Sequence, residues 1–407
     1  MKLAKKAKIV IAAAAAITLS LTGAATAANF TFVVGGASSV ASIMGDCKVA
    51  YSKANGDDSF AYASSSSGQG QKDMESGKND FSFSDSPHLT SQSGKPVPSN
   101  EIHVPTFVWP IAIEYKDFLS GKPLALSTKT VAGIFAGKIT KWNDPAIVAD
   151  NKKTYKKQIF KAVKMVKKDA KGNVVKDKSG KPLTYTKQVP AGTQEVDQSI
   201  SLPNQAITVV YRGDSSGTTG NLLAALGQID KTNWPTADKA GNTKVFSSSD
   251  AKAAVTADPI HFQAANGSAG VAQLAAKTDY SITYSEINFA KLNNLAVSSI
   301  INAHGDLVQP DDASVAAQVA TADIKNGIVT QNYVNPAAGV YPFSVVTYAL
   351  AKTSYGQGDA FTKGIRAAIE WHAFNCPQTA PNDGFIKIDK TSALGTVITG
   401  QLAKIGA

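Results

Sequence analysis

The sequence predicts an α/β fold, with mostly parallel sheet flanked by helices and divided between two domains. Three observations carry this prediction. Short β-branched or aromatic runs end in loops of glycine and serine, and a helical stretch follows each loop. Two longer apolar runs, Val104–Glu114 and Tyr341–Leu350, lie far apart in the chain and read as crossover strands shared by both domains. A leader of 27 residues leaves 380 of the 407, too many for one simple core.

The leader carries a basic start, Lys2, Lys5, Lys6 and Lys8, then the apolar run Ile9–Leu21 and the cleavage pattern Ala25-Thr26-Ala27. It predicts export, with the mature chain starting near Ala28. The run is too short and alanine-rich for a permanent span, and no later segment is long and apolar enough to supply one. The expected location is periplasmic or otherwise extracytoplasmic.

The elements follow in order. Phe30–Val34 reads as a strand, GGASSVAS as its loop, and Ile43 to about Lys53 as a helix. Phe60–Ala63 is a second strand, SSSSGQGQ its loop, and a helix begins at Lys72–Ser76. Asp80–Phe83 is a third strand, ending in SDSP. Val104–Glu114 is interrupted by Pro110. Ile207–Tyr211 is a further strand, Arg212–Thr219 its loop, and Asn221–Leu226 the start of a helix. In parallel sheets, ligands bind at the carboxyl ends of strands, where four small-residue loops gather here.

The formal net charge of +10 belongs to one segment. Residues 152–187 hold 13 Lys against Asp169 and Asp177, so the rest of the mature chain is acidic. The segment contains turn signals at 171–173 and 179–182 and reads as an insertion. An exposed hairpin and a disordered basic loop both fit it. Export argues against a nucleic-acid role for its lysines. The two cysteines, Cys47 and Cys376, either pair after export or stay as separate buried thiols. They and five scattered His give no metal-ligand spacing, and no cofactor is expected.

The loop Arg212-Gly-Asp-Ser-Ser-Gly-Thr-Thr219 carries the most chemistry. Gly213–Gly217 matches G-x-S-x-G between a strand and a helix, so a serine hydrolase using Ser215 is one reading. His261, His304 and His372 follow downstream, but none has a local context that marks a base, and no HGGG-type segment precedes. The other reading is an anion site. Arg212 can fork onto two oxygens, Asp214 can hold the guanidinium, and Ser216, the Gly217 N–H and Thr218 can donate at a helix N-terminus.

RGDSSGTT resembles the Arg-x-Asp-x-Ser-Gly-Thr segment of the phosphate-binding proteins of bacterial high-affinity phosphate ABC transporters. GGASSVAS, SSGQG, NDFSFSDSP, KTVAGIFAGKITKWNDPAI, VPTFVWPIAI and YPFSVVTYAL resemble other blocks of that family, in the same order from about Gly35 to Leu350. The resemblance implies a two-domain periplasmic-binding-protein-like fold, with residues 28–108 and 342–407 in domain I and 109–341 in domain II. It implies no catalysis, inorganic phosphate as ligand, an ABC permease as partner and a monomer. A phosphate-sequestering or adhesive protein without a permease is the other use of the same fold.

The implied ligands are Ser38, the Ser39 N–H, Ser67, Asp85, Arg212, Ser216, the Gly217 N–H and Thr218, with Asp214 orienting Arg212. The first loop departs from the family, which usually has an apolar residue and a proline where Ser39-Val40 stand. Asp85 implies selectivity. A carboxylate accepts a hydrogen bond from P–OH, whereas sulfate brings no proton at neutral pH and would leave it unpaired and repelled.

Overall fold

In the computed structural model three of the four small-residue loops end a strand and start a helix, and the SDSP loop ends a strand but leads to another strand. The structure describes residues 30–56, 58–169, 172–177, 179–236, 244–379 and 384–407, so the leader lies outside the described residues. Sixteen strands occur among them. They are β1 Thr31–Gly36, β2 Ser59–Ser64, β3 Phe81–Ser84, β4 Glu101–Lys116, β5 Ala125–Ser127, β6 Lys152–Val166, β7 Thr184–Ser199 and β8 Thr208–Arg212. The rest are β9 Phe262–Ala265, β10 Ser281–Glu286, β11 Leu295–Val297, β12 Ser299–Ile301, β13 Leu307–Val308, β14 Asp323–Lys325, β15 Ile328–Thr330 and β16 Ser344–Lys352.

One mixed sheet of nine strands organises the chain, in the order β2-β1-β3-β16-β4-β10-β8-β9, with β11 also on β4. β1, β2 and β3 run parallel, as do β8, β9 and β10. Each trio uses helices as its crossovers, because parallel neighbours cannot be joined by a tight turn. The antiparallel strands β4 and β16 join the trios.

β4 changes partner in its middle. Glu101–Pro110 pairs with β16, and Ile111–Tyr115 pairs with β10. Pro110 stands at the change, where a residue with no N–H interrupts the ladder least. Its neighbour Ile111 donates to the Phe343 carbonyl at 2.7 Å. β4 reads as one apolar run because it is buried from His103 to Tyr115.

Apolar side chains from both faces of this sheet form most of the core. On the first trio's side, Phe83, Phe107 and the buried His372 ring pack together. Across the second, Tyr115, Phe118 and Trp142 do the same. Cys47 and Cys376 form a disulfide with Cα atoms 5.1 Å apart, joining the first helix, Ala41–Ala54, to a turn near the C-terminus.

Two helices begin earlier than the sequence reading places them. The second spans Ser67–Ser76 rather than starting at Lys72, with the Ser66 hydroxyl accepting from the Gln69 N–H. The other spans Gly217–Ile229 rather than starting at Asn221, with Ser216 as its cap. The early glycines conceal both starts, since propensity argues against helix where capping and packing impose it.

The lysine-rich segment is a hairpin, and it is longer than residues 152–187. β6 and β7 pair from Lys152↔Ser199 to Val166↔Thr184. Its root is held by Tyr155, whose hydroxyl donates to the Asp150 carbonyl at 2.9 Å. Its far end lies on the C-terminal helix region, where Lys167 Nζ donates to Thr396 Oγ1 at 3.0 Å. The hairpin therefore lies along the body, with a groove of about 730 Å³ beneath it lined by Phe160, Lys291 and Asp312 among others.

Candidate anion-binding site

Four helix N-termini meet between the two trios. They belong to Ala41–Ala54, entered through the 3-10 turn Ser38–Val40, and to Ser67–Ser76, Gly217–Ile229 and Gly267–Lys277. Each brings a helix start, with its partial positive charge, toward the same volume.

Arg212 ends β8 and is 2% exposed. Its Nε and Nη2 donate to the two Asp214 oxygens at 2.7 and 2.5 Å, and Nη1 donates to Ser268 Oγ at 3.2 Å. Burial opposes the Arg212 charge, but the Asp214 bonds and carboxylate hold its proton more firmly than usual. Asp214 in turn stays below the ordinary carboxylate range despite burial, because Arg212 and the Gly267 N–H stabilise its charge. The pair is a fixed guanidinium whose charge is largely balanced.

Asp85 follows β3 and is 2% exposed. Ser39 Oγ and Thr347 Oγ1 donate to its Oδ1 at 2.9 and 2.7 Å, and Thr218 Oγ1 lies 3.4 Å from its Oδ2. Burial raises its pKa, against the bonds from Thr347 and Ser39, the Arg212 charge and the Thr218 contact. The Asp85 N–H donates to Ser67 Oγ at 3.1 Å, which leaves the Ser67 proton available.

Gly217 has a packing reason. A Cβ there would lie 2.5 Å from Ser67 Oγ and 2.8 Å from Asp85 Cβ. Only glycine lets this helix start against the Ser67–Asp85 wall. Ser216 Oγ accepts from the Thr219 N–H at 3.2 Å, so capping occupies a lone pair and leaves its proton. Ser38 Oγ accepts from the Ser268 N–H at 3.1 Å.

The structure thus brings Ser38, Ser39, Ser67, Asp85, Arg212, Asp214, Ser216, Gly217 and Thr218 to one place. Ser39 differs from the expectation in contributing its hydroxyl to Asp85, beyond a backbone N–H. Sequence reasoning missed Ser268, Glu286 and Thr347. Ser268 had a signal, since Asn266-Gly267-Ser268-Ala269-Gly270 is another small-residue loop between a strand and a helix. Thr347 had none, being one hydroxyl inside an apolar strand.

Ser215 makes no hydrogen bond to a histidine in the structure. His261 binds Asp258, His304 binds Asp306, and the buried His372 bonds the Ala368 carbonyl. The arrangement suits capture of a small oxyanion: one guanidinium, several hydroxyls, converging helix N-termini, and one carboxylate that wants a proton from the ligand.

Residues 22–372 match the PBP superfamily domain, and the chain belongs to that family. Among curated relatives, a phosphate-binding protein PstS of Haemophilus influenzae is 26% identical over 328 residues, covering 79% of this chain and 78% of that protein. A phosphate-binding protein PstS 3 of Mycobacterium tuberculosis is 26% identical over 319 residues, covering 76% and 69%. Among solved structures, a phosphate-binding protein of Stenotrophomonas maltophilia has the same fold, with a TM-score of 0.56 at 18% identity over 93% of this chain and 94% of that one.

Proposed function

We propose that this protein captures one inorganic phosphate between two lobes and delivers it to an ABC permease from an extracytoplasmic location. The observation that carries the reading is Asp85, a buried carboxylate facing the Arg212 site across Thr218. Such a group repels a fully ionised oxyanion and accepts a hydrogen bond from one that keeps a proton. Phosphate keeps one at neutral pH, and sulfate does not. The names of the curated relatives support the same ligand.

In this reading Ser38, the Ser39 N–H, Ser67, Arg212, Ser216, the Gly217 N–H and Thr218 bind the phosphate oxygens. Asp85 accepts the P–OH proton, and Asp214 fixes Arg212. Residues 28–108 with 342–407 form one lobe and 109–341 the other. They hinge where β4 exchanges β16 for β10. Closure is favoured because the anion bridges donors from both lobes.

Calorimetric titration with phosphate, arsenate and sulfate tests the ligand. Phosphate binding without sulfate binding is expected. Asp85→Asn narrows that discrimination, and Arg212→Ala abolishes binding of all three. Equal binding of sulfate sinks the Asp85 role. Labelling of Ser215 by a fluorophosphonate would argue for a hydrolase instead. Delivery is tested with a phosphate permease reconstituted in vesicles, whose ATPase rises with the loaded protein if the transport reading holds.

A further inference from the structure

Glu286 ends β10 beside this site, is 1% exposed, and its Oε2 has no hydrogen-bond partner. Its Oε1 lies 3.3 Å from Thr218 Oγ1. The same hydroxyl lies 3.4 Å from Asp85 Oδ2. A threonine hydroxyl has one proton, so it cannot serve two ionised carboxylates. The acid it does not serve faces the hydroxyl's lone pairs, a contact that is favourable only when that acid carries a proton of its own.

We propose, building on the phosphate reading, that Glu286 is a positioning residue whose neutral carboxyl donates to Thr218 Oγ1 and so turns the single Thr218 proton away from Glu286 and toward the anion. The relay runs from the Glu286 O–H to Thr218 Oγ1, and from the Thr218 O–H to the ligand side. It allows an acid to stand beside an anion site without repelling the anion.

The surrounding charges decide which acid is neutral. From β4 comes Glu114, fully buried and bonded by Ser285 Oγ at 2.6 Å. From β8 comes Arg212, already committed to both Asp214 oxygens. Asp85 approaches from the end of β3. The helices flanking Glu286 contribute the Ser268 hydroxyl, while their Lys277 and Lys291 are exposed. Asp85 and Glu286 therefore share a guanidinium that Asp214 already balances, and Glu114 adds a third buried carboxyl next to Glu286. Asp85 receives bonds from Ser39 and Thr347 that stabilise its charge, whereas Glu286 has the long Thr218 contact, the Ser268 hydroxyl and an Oε2 without a partner. Ionising Glu286 is the costlier choice. Burial, with the Asp85 charge adding to it, pushes Glu286 up to about 7 against Ser268 and Arg212, and burial, against the Ser285 bond, holds Glu114 well above its usual range.

The sign follows. A raised carboxyl keeps its proton below its folded pKa and loses it above. Phosphate affinity should fall as pH rises through about 7, beyond the ligand's own titration. Glu286→Gln keeps a neutral donor and removes the titration. Between pH 7 and pH 8.5, wild-type affinity should fall about tenfold more than that of Glu286→Gln. Glu286→Ala, which offers no donor, should bind about tenfold more weakly than Glu286→Gln at pH 6.5. Parallel pH profiles for wild type and Glu286→Gln overturn the proposal. A second measurement needs no ligand: infrared difference titration should reveal a protonated-carboxyl band at pH 6 that Glu286→Gln lacks. A Glu286 already ionised at pH 6 overturns it. Failure of the wild type to bind phosphate at any pH sinks the phosphate reading instead, and the infrared band then decides whether Glu286 is neutral.

Discussion

Thr347 donates to Asp85 Oδ1 at 2.7 Å across 262 residues of chain, and its oxygen accepts from Trp109 Nε1 at 2.8 Å. Trp109 lies on β4 and Thr347 on β16, so the two strands that join the trios also hold the site's acid. Thr347→Val keeps the shape and removes both bonds. It leaves a buried indole N–H without a partner and should lower unfolding stability by about 1–3 kcal/mol. Chemical denaturation measures this. An unchanged midpoint would mean that the relay contributes nothing to stability.

Gly217→Ala tests the contact between the two sides of the site. The added methyl meets Ser67 Oγ and the Asp85 Cβ, atoms fixed by buried neighbours. Overpacking of this kind costs about 1–3 kcal/mol, so phosphate affinity should fall about ten- to a hundredfold while the fold persists. Calorimetry gives the affinity, and small-angle scattering with saturating ligand should report a more open molecule than wild type.

Glu75 predicts an acid-sensitive step away from the ligand. Burial works against its charge, but bonds from Ser93, Gln92 and His88 bring it down to about 2. A carboxyl lowered on folding stabilises the protein above its unfolded value of about 4.3 and loses that contribution as pH falls toward 2. Wild-type urea midpoints should drop over that window, and Glu75→Gln should drop less. The same slope in both would rule Glu75 out. The cluster matters for the site because His88, three residues after Asp85, bonds both Glu75 and Glu101.

The Cys47–Cys376 disulfide closes a loop across a sequence separation of 329. Restricting the unfolded chain over such a span should make the protein about 2–5 kcal/mol more stable. The double substitution Cys47→Ser with Cys376→Ser should lose that much in guanidine unfolding, and reductant should then have no further effect. Wild type that is insensitive to reductant and matches the double variant would show that the bond does no thermodynamic work.

Strand ends and helix starts were legible because small residues and caps are local signals. Arg212 and Asp214 were legible as a pair because they stand two positions apart and a carboxylate that close reaches the guanidinium. The helices at Ser67 and Gly217 were misplaced because their glycines oppose helix locally, and only packing against Asp85 and Ser215 explains them. The lysine-rich hairpin could be read as exposed, but its contact with Thr396 depends on where the C-terminal helix falls.

The sequence by itself determined the α/β grammar, the four donor loops and the balanced Arg212–Asp214 cation, because these depend on residues near one another in the chain. Only the tertiary structure decided how Asp85 is held and which acid beside it stays neutral. Ser39, Thr218, Glu286 and Thr347 come from four separate elements. Their hydrogen bonds and mutual repulsion exist only once the sheet has set them within a few ångströms and excluded water.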